Sequence, residues 1–136
     1  MKVFKFGGAS VKDAEAVRNV ADIINLYAEN LVIVVSAMGK TTNAMEEIVE
    51  AYFSNDKIKT KGLISNVIDF HNNIIRTLGL PKLESIETIF NNLKQKVSQT
   101  PTTSFDYEYD QIVSFGEVMS TIIIAEYLNS INKNCK

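Results

Sequence analysis

Cysteine, proline, histidine and tryptophan are nearly missing from this 136-residue chain, which has one Cys, two Pro, one His and no Trp. Each shortage excludes something. A lone thiol, Cys135, rules out an internal disulfide and a cysteine-based zinc cluster. One histidine, His71, with no supporting motif, leaves no Ser-His-Asp grouping to argue for. Neither sign of charge dominates, and a net charge of −2 gives no reason to expect nucleic acid or an anionic membrane as partner. The longest aliphatic run, Leu31 to Val35, is far too short to span a bilayer. The N-terminal apolar stretch is broken by Lys2 and Lys5 and ended by Gly7-Gly8, unlike a secretory signal, so a cytoplasmic location is expected.

What is present reads as one domain with a modest core: 46% of residues are apolar and 22% charged. Met1 to Phe6 alternates as a short strand and runs directly into Gly7-Gly8. The stretch from Asp13 to Ala28 places Val17, Val20, Ala21, Ile24 and Leu26-Tyr27 at helical spacing. Leu31 to Val35 is continuous and β-branched, the pattern of a strand buried on both faces of a parallel sheet. Strand, helix and strand in this order predict a right-handed βαβ unit. Ligands in such sheets bind beyond the carboxyl ends of the strands. Gly7-Gly8 and Ser36-Ala37-Met38-Gly39 are therefore expected on one edge.

Helices dominate the rest. One is expected from about Asn43 to Phe53, with Asn43 and Glu46 at capping-box spacing. Ser54 to Lys57 reads as a solvated loop. Leu63, Ile64, Val67, Ile68, Ile74, Ile75 and Leu78 form the stripe of the next helix, with Gly79 as its C-terminal cap and Pro81 starting the following element. Leu83, Ile86, Phe90, Leu93 and Val97 continue the pattern, so the two helices should pack as an antiparallel hairpin. Pro101 and the Thr/Ser cluster up to Ser104 end it. A last helix is expected from about Val113 to Asn129.

Several features have duller explanations. Gly39-Lys40-Thr41 suggests a P-loop, but that motif needs a glycine where Val34 stands in mid-strand. Asp106, Glu108, Asp110 and Glu117 match positions of a calcium loop, yet Gln111 occupies the position of its required glycine, so solvated acids leading into a helix are the better reading. His71 lies on an apolar stripe and reads as a hydrogen-bonded core residue. Tyr107 and Tyr109 are expected to pack against the helical hairpin. The strand-to-helix segment Ser36 to Asn43 can meet an anion through N–H groups and the helix dipole, or simply cap the helix.

Three separated segments carry a more specific signal. They are Lys5-Phe6-Gly7-Gly8-Ala9-Ser10-Val11, Val34-Val35-Ser36-Ala37-Met38-Gly39-Lys40-Thr41-Thr42-Asn43, and Ser114-Phe115-Gly116-Glu117-Val118-Met119-Ser120-Thr121. In order and spacing they resemble the aspartokinases of the amino-acid kinase family. Ala9 departs from the family's usual Thr or Ser. The resemblance implies an α/β fold of the carbamate-kinase-like type: a parallel βαβ start followed by a helical hairpin. Residues 1–136 would be the N-terminal part of a single kinase domain, because the family's later Gly-Arg-Gly-Gly-Ser-Asp-like, adenine-binding and regulatory segments have no counterpart here.

The resemblance also implies roles. Lys5 would act catalytically on the transferred phosphoryl group, with Phe6, Gly7 and Gly8 at the ATP site. Ser36 and Thr42 would line the aspartate site, and Glu117 would accept the α-ammonium of L-aspartate. The small-molecule substrates would be L-aspartate and ATP with Mg2+, giving 4-phospho-L-aspartate at the entry to lysine, threonine and methionine synthesis. The complete enzyme would be a homo-oligomer, and the 136 residues alone would be inactive. Another amino-acid kinase, or a non-catalytic helical interaction module, are the alternatives.

Overall fold

The protein is described here from a computed structural model covering residues 1–136. Two parallel strands, β1 (Lys2–Phe6) and β2 (Leu31–Val35), pair with Lys2 opposite Leu31 and Phe6 opposite Val35. A 3-10 turn over Gly8–Val11 and helix α1 (Ala14–Asn25) connect them. The Asp13 carboxylate accepts a hydrogen bond from the Ala16 N–H at 2.8 Å and so fixes where α1 begins. The buried face of α1 is Val17, Val20, Ala21 and Ile24, as the spacing predicts.

The expectation for β2 needs correcting. Only one face of the sheet is covered: Leu31, Ile33, Val35 and Phe6 pack against the core. On the other face Val3, Val32 and Val34 are 65%, 43% and 44% exposed. A continuous apolar run shows that both faces avoid water, but these residues supply a cover for only one.

Four helices follow: α2 (Thr41–Phe53), α3 (Lys57–Thr77), α4 (Glu84–Ser98) and α5 (Phe105–Ser130). Helix α2 begins at Thr41, before the expected start, and Asn43 lies inside its first turn rather than capping it. Lys57 belongs to α3, whose true cap is Asp56, accepting from the Lys59 N–H. Gly79 has φ +75° and ends α3 in a Schellman arrangement, with Leu80 N–H on the Ile75 carbonyl and Gly79 N–H on that of Arg76. Pro81 lies ahead of α4 and does not start it; Leu83 is the N-cap. Lys57 at the start of α3 reaches the Ser98 and Gln99 carbonyls at the end of α4. Since Gly79 joins the opposite ends, the hairpin is antiparallel, as predicted.

The largest correction is α5. It starts at Phe105, so the acids from Asp106 to Asp110 are helical and not a loop. Ser104 caps it by accepting from the Tyr107 N–H, and Asp106 and Glu108 sit in the first turn, where the dipole favours them. Glu108 is buried and forms an ion pair with Lys96 on α4 at 2.6 Å, with the Thr103 hydroxyl donating to its other oxygen. Tyr107 lies beneath Lys96 of the hairpin, while Tyr109 turns to α2 and donates to Glu46 at 2.6 Å. Helix α5 is long and apolar enough to cross a bilayer by length and composition. Here that apolar length serves packing: α5 lies against α2, α4 and β2, with Ile112, Met119 and Ile123 fully buried.

Candidate functional site

The three segments singled out in the sequence meet beyond the carboxyl ends of β1 and β2. The Phe6 carbonyl accepts from the Ser36 N–H at 3.0 Å, and the Gly8 carbonyl accepts from the Gly39 N–H at 3.0 Å. Gly8 is pressed so closely on the second loop that a Cβ there would stand 2.9 Å from the carbonyl oxygens of Ala37 and Gly39. Gly116, from mid-α5, closes the third side: a Cβ on it would meet Ala37 Cβ at 3.1 Å and Thr41 Cγ2 at 3.3 Å. Gly39 itself has φ +57°, a left-handed conformation that a side chain makes costly. The roles of Gly39 and Gly116 are not legible from spacing; both are set by how closely other segments approach.

Gly7 is different. Its backbone is extended at φ −76° and ψ 172°, open to any residue, and nothing lies within 4 Å of where its Cβ would be. The fold does not need a glycine there. The missing side chain leaves free space at the end of β1.

Unused donors lie along the same segments. The backbone N–H groups of Gly7, Gly8 and Ala9 make no intramolecular hydrogen bond. Neither do those of Thr42 and Asn43 in the first turn of α2, whose N-cap, Lys40, provides no side-chain cap. Unpaired N–H groups at a helix start and a loop of successive amides both attract anions. Lys5, Lys12 and Lys40 stand exposed along the same segments, and the chain's two ion pairs, Lys2–Glu29 and Lys96–Glu108, involve none of them.

The remaining expected residues are placed as follows. Lys5 lies on the open face of the sheet, in register with Val34. The Phe6 side chain packs against the core, so only its backbone faces the edge. Ser36 and Thr42 are half-buried in the second loop and at the start of α2. Glu117 follows Gly116 and is exposed. It lies in the middle of α5 and not in its first turns, so the helix dipole gives it no special support. The structure gathers the backbone of the three segments; Lys5, Ser36, Thr42 and Glu117 make no side-chain bond to one another. No group of three His, Cys, Asp or Glu residues is arranged to hold a metal ion.

His71 stays apart from this edge, as expected of a core residue. It is fully buried, bonded through Nδ1 to the Val67 carbonyl at 2.7 Å, and stacked edge-on between Phe70 and Phe90. Burial pushes its pKa below the usual imidazole value, against the opposing effect of the Val67 carbonyl.

Comparison with known proteins shows the family. The model of the amino acid kinase family matches residues 1–136. Aspartokinase 1, chloroplastic, of Arabidopsis thaliana is 38% identical over 141 residues, covering 95% of this chain and 23% of its own length. Lysine-sensitive aspartokinase 3 of Escherichia coli is 31% identical, covering 93% of this chain and 28% of its own. A crystal structure of E. coli aspartokinase III with aspartate and ADP superposes with a TM-score of 0.83 at 28% identity, over 97% of this chain and 29% of that one. The chain thus spans about a quarter of the length of the relatives it matches.

Proposed function

The chain belongs to the amino acid kinase family, and we propose that it is the N-terminal part of the kinase domain of an aspartate kinase. The single observation that carries this reading is the edge itself: unpaired N–H groups at Gly7, Gly8, Ala9, Thr42 and Asn43, beside lysines that pair with no carboxylate. An edge of that kind suits a polyphosphate and a dicarboxylate. The solved E. coli relative is described with aspartate and ADP, which supports the same pair of small molecules here.

In this reading an oxygen of the aspartate β-carboxylate attacks the γ-phosphorus of ATP. The new O–P bond gives 4-phospho-L-aspartate, and the bond to the β-phosphate oxygen breaks to release ADP. Magnesium enters as part of the nucleotide substrate. Phosphoryl transfer of this type depends on positioning and on neutralising the charge of the equatorial oxygens. Gly7 leaves room for the phosphate, Gly7 and Gly8 lend N–H groups, and Lys5 screens donor from acceptor. Ser36 and Thr42 hold aspartate, and Glu117 takes its α-ammonium. The product is the first intermediate on the route to lysine, threonine and methionine, in a cytoplasmic homo-oligomer.

The test is made on the complete protein. Aspartate-dependent ADP release is measured, with hydroxylamine trapping the acyl phosphate as a hydroxamate. Lys5→Ala should lower kcat more than it raises either KM, because its charge matters most while negative charge is shared. Glu117→Gln should raise the KM for aspartate roughly tenfold or more, since losing a charged hydrogen bond costs about 1.5–3 kcal/mol, and should leave the KM for ATP in place. A complete protein that forms hydroxamate with another acid and none with aspartate refutes the reading.

A further inference from the structure

The loop from Ser36 to Thr41 is held by the end of β1 through Gly8 and by α5 through Gly116. A third support comes from α3. A Cβ placed on Gly39 would lie 3.6 Å from Phe70 Cζ on one side and 3.6 Å from the Lys12 backbone on the other. The ring tip of Phe70 therefore stands over the one left-handed residue of the loop. Phe70 is 39% exposed, so one side of its ring faces solvent. Its ring is fixed from behind by the edge-on contact with His71, at 5.2 Å between centroids. His71 is itself locked by Val67 and Phe90. Beside the ring, a cavity of about 220 Å³ is lined by Lys40, Thr41, Ala44, Asn66, Val67 and Phe70. Without the ring, Lys40 and Thr41 would border open space on the α3 side.

We propose that Phe70 is a positioning residue for phosphoryl transfer: it props Gly39 so that the N–H groups of Thr42 and Asn43 and the Ser36 side chain keep their place at the strand edge. The catalytic consequence rests on the function proposed above; the propping itself does not. Phe70 touches no proposed substrate contact directly and acts through the loop.

Two measurements on the complete protein test it, with variants Phe70→Ala, Phe70→Met, whose methyl reaches about as far as the ring tip, and, as a remote control, Phe105→Ala. Phe105 is an equally exposed aromatic, packed on Phe53 and Tyr109 away from the loop. The first measurement is amide hydrogen exchange at Gly39, Thr41 and Ala44, whose N–H groups are bonded to Gly8, Met38 and Lys40. Phe70→Ala should speed exchange at these three at least tenfold and leave the core of α5 unchanged. Phe70→Met and Phe105→Ala should leave all three as they are. The second is steady-state kinetics, where Phe70→Ala should cut kcat about tenfold, while Phe70→Met and Phe105→Ala should keep it. Unchanged exchange at the three amides overturns the proposal. So does faster exchange spread evenly over α3 and α5, which is the mark of a merely structural residue. If the unaltered complete protein shows no aspartate-dependent turnover, the function proposed above fails while the exchange result still decides the role of Phe70.

Discussion

Gly7 and Gly8 adjoin in the sequence and do opposite work. A methyl on Gly8 would press 2.9 Å from two backbone carbonyl oxygens, which cannot swing away as a flexible side chain can. A methyl on Gly7 meets nothing, and the backbone there is already in a region that alanine favours. Gly8→Ala should therefore destabilise the protein by about 1–3 kcal/mol, the usual cost of overpacking. Gly7→Ala should leave stability unchanged or raise it by about 0.4–1 kcal/mol, by restricting the unfolded chain. If the space at Gly7 is where a phosphate oxygen sits, the same Gly7→Ala should abolish most turnover in the complete protein. Melting curves paired with kinetics check this, and a fully active Gly7→Ala would remove the phosphate from that spot. The sequence showed both glycines as part of one string and could not tell them apart. Their difference lies in the approach of residues 37–39, a tertiary fact that spacing does not encode. Glu117 is the converse case: a helix expected to start near Val113 puts it in the first turns, whereas α5 starts at Phe105 and leaves it mid-helix, and the close approach of Gly116 beside it was not legible in the sequence.

At the level of elements, the start of α5 shows where sequence reasoning loses the thread. The run from Asp106 to Asp110 alternates acid and aromatic, which is the period of a strand and not of a helix. What makes it helical is a cap at Ser104 and a partner across the core, Lys96, for a carboxylate that is 2% exposed. The stripe of α4 was legible to within a turn because one periodic face reports one packing partner, whereas α3 begins at Lys57, ahead of the stripe that starts at Leu63. The Glu108 carboxyl is held below the usual carboxylate range by the Lys96 ammonium, then by the Thr103 hydroxyl, against the cost of burial. A depressed carboxyl pKa adds stability that is fully present above the unfolded value of about 4.5 and lost as pH falls through the folded one. Lys96→Met leaves that carboxylate buried with only the Thr103 hydroxyl and no cation, so its pKa should rise above the unfolded value and the sign should reverse. The variant should be about 3 kcal/mol less stable near pH 7, the low end for a broken buried pair because Lys96 keeps some solvent. The gap from the unaltered protein should narrow as pH drops toward 4. Urea midpoints across that range give the answer, and a gap independent of pH would show that the pair is not what fixes α5 to α4.

Taken whole, the molecule is a helical body carrying a sheet that is finished on one side only. The helices α1 to α5 enclose a single core with β2, while Val3, Val32 and Val34 face outward beside Lys5. A groove of about 730 Å³ runs along β2 between α1, α5 and the tail from Lys133 to Lys136. Two strands are fewer than a sheet needs to stand unaided, so this one depends on the helices beneath it. The donors for an anion are all on the strand edge, yet the face that carries Lys5 has no second wall. Phosphoryl transfer to a carboxylate requires both reactants held in line and shielded from water. The 136 residues should therefore bind nucleotide weakly at best and turn over nothing, even where the complete protein is active. Coupled ADP-release assays on residues 1–136 alone, at high protein concentration and with aspartate present or omitted, measure this directly. Aspartate-dependent ADP release by these residues alone would mean that the strand edge and open face already form a complete site, and that no further wall over Lys5 is needed.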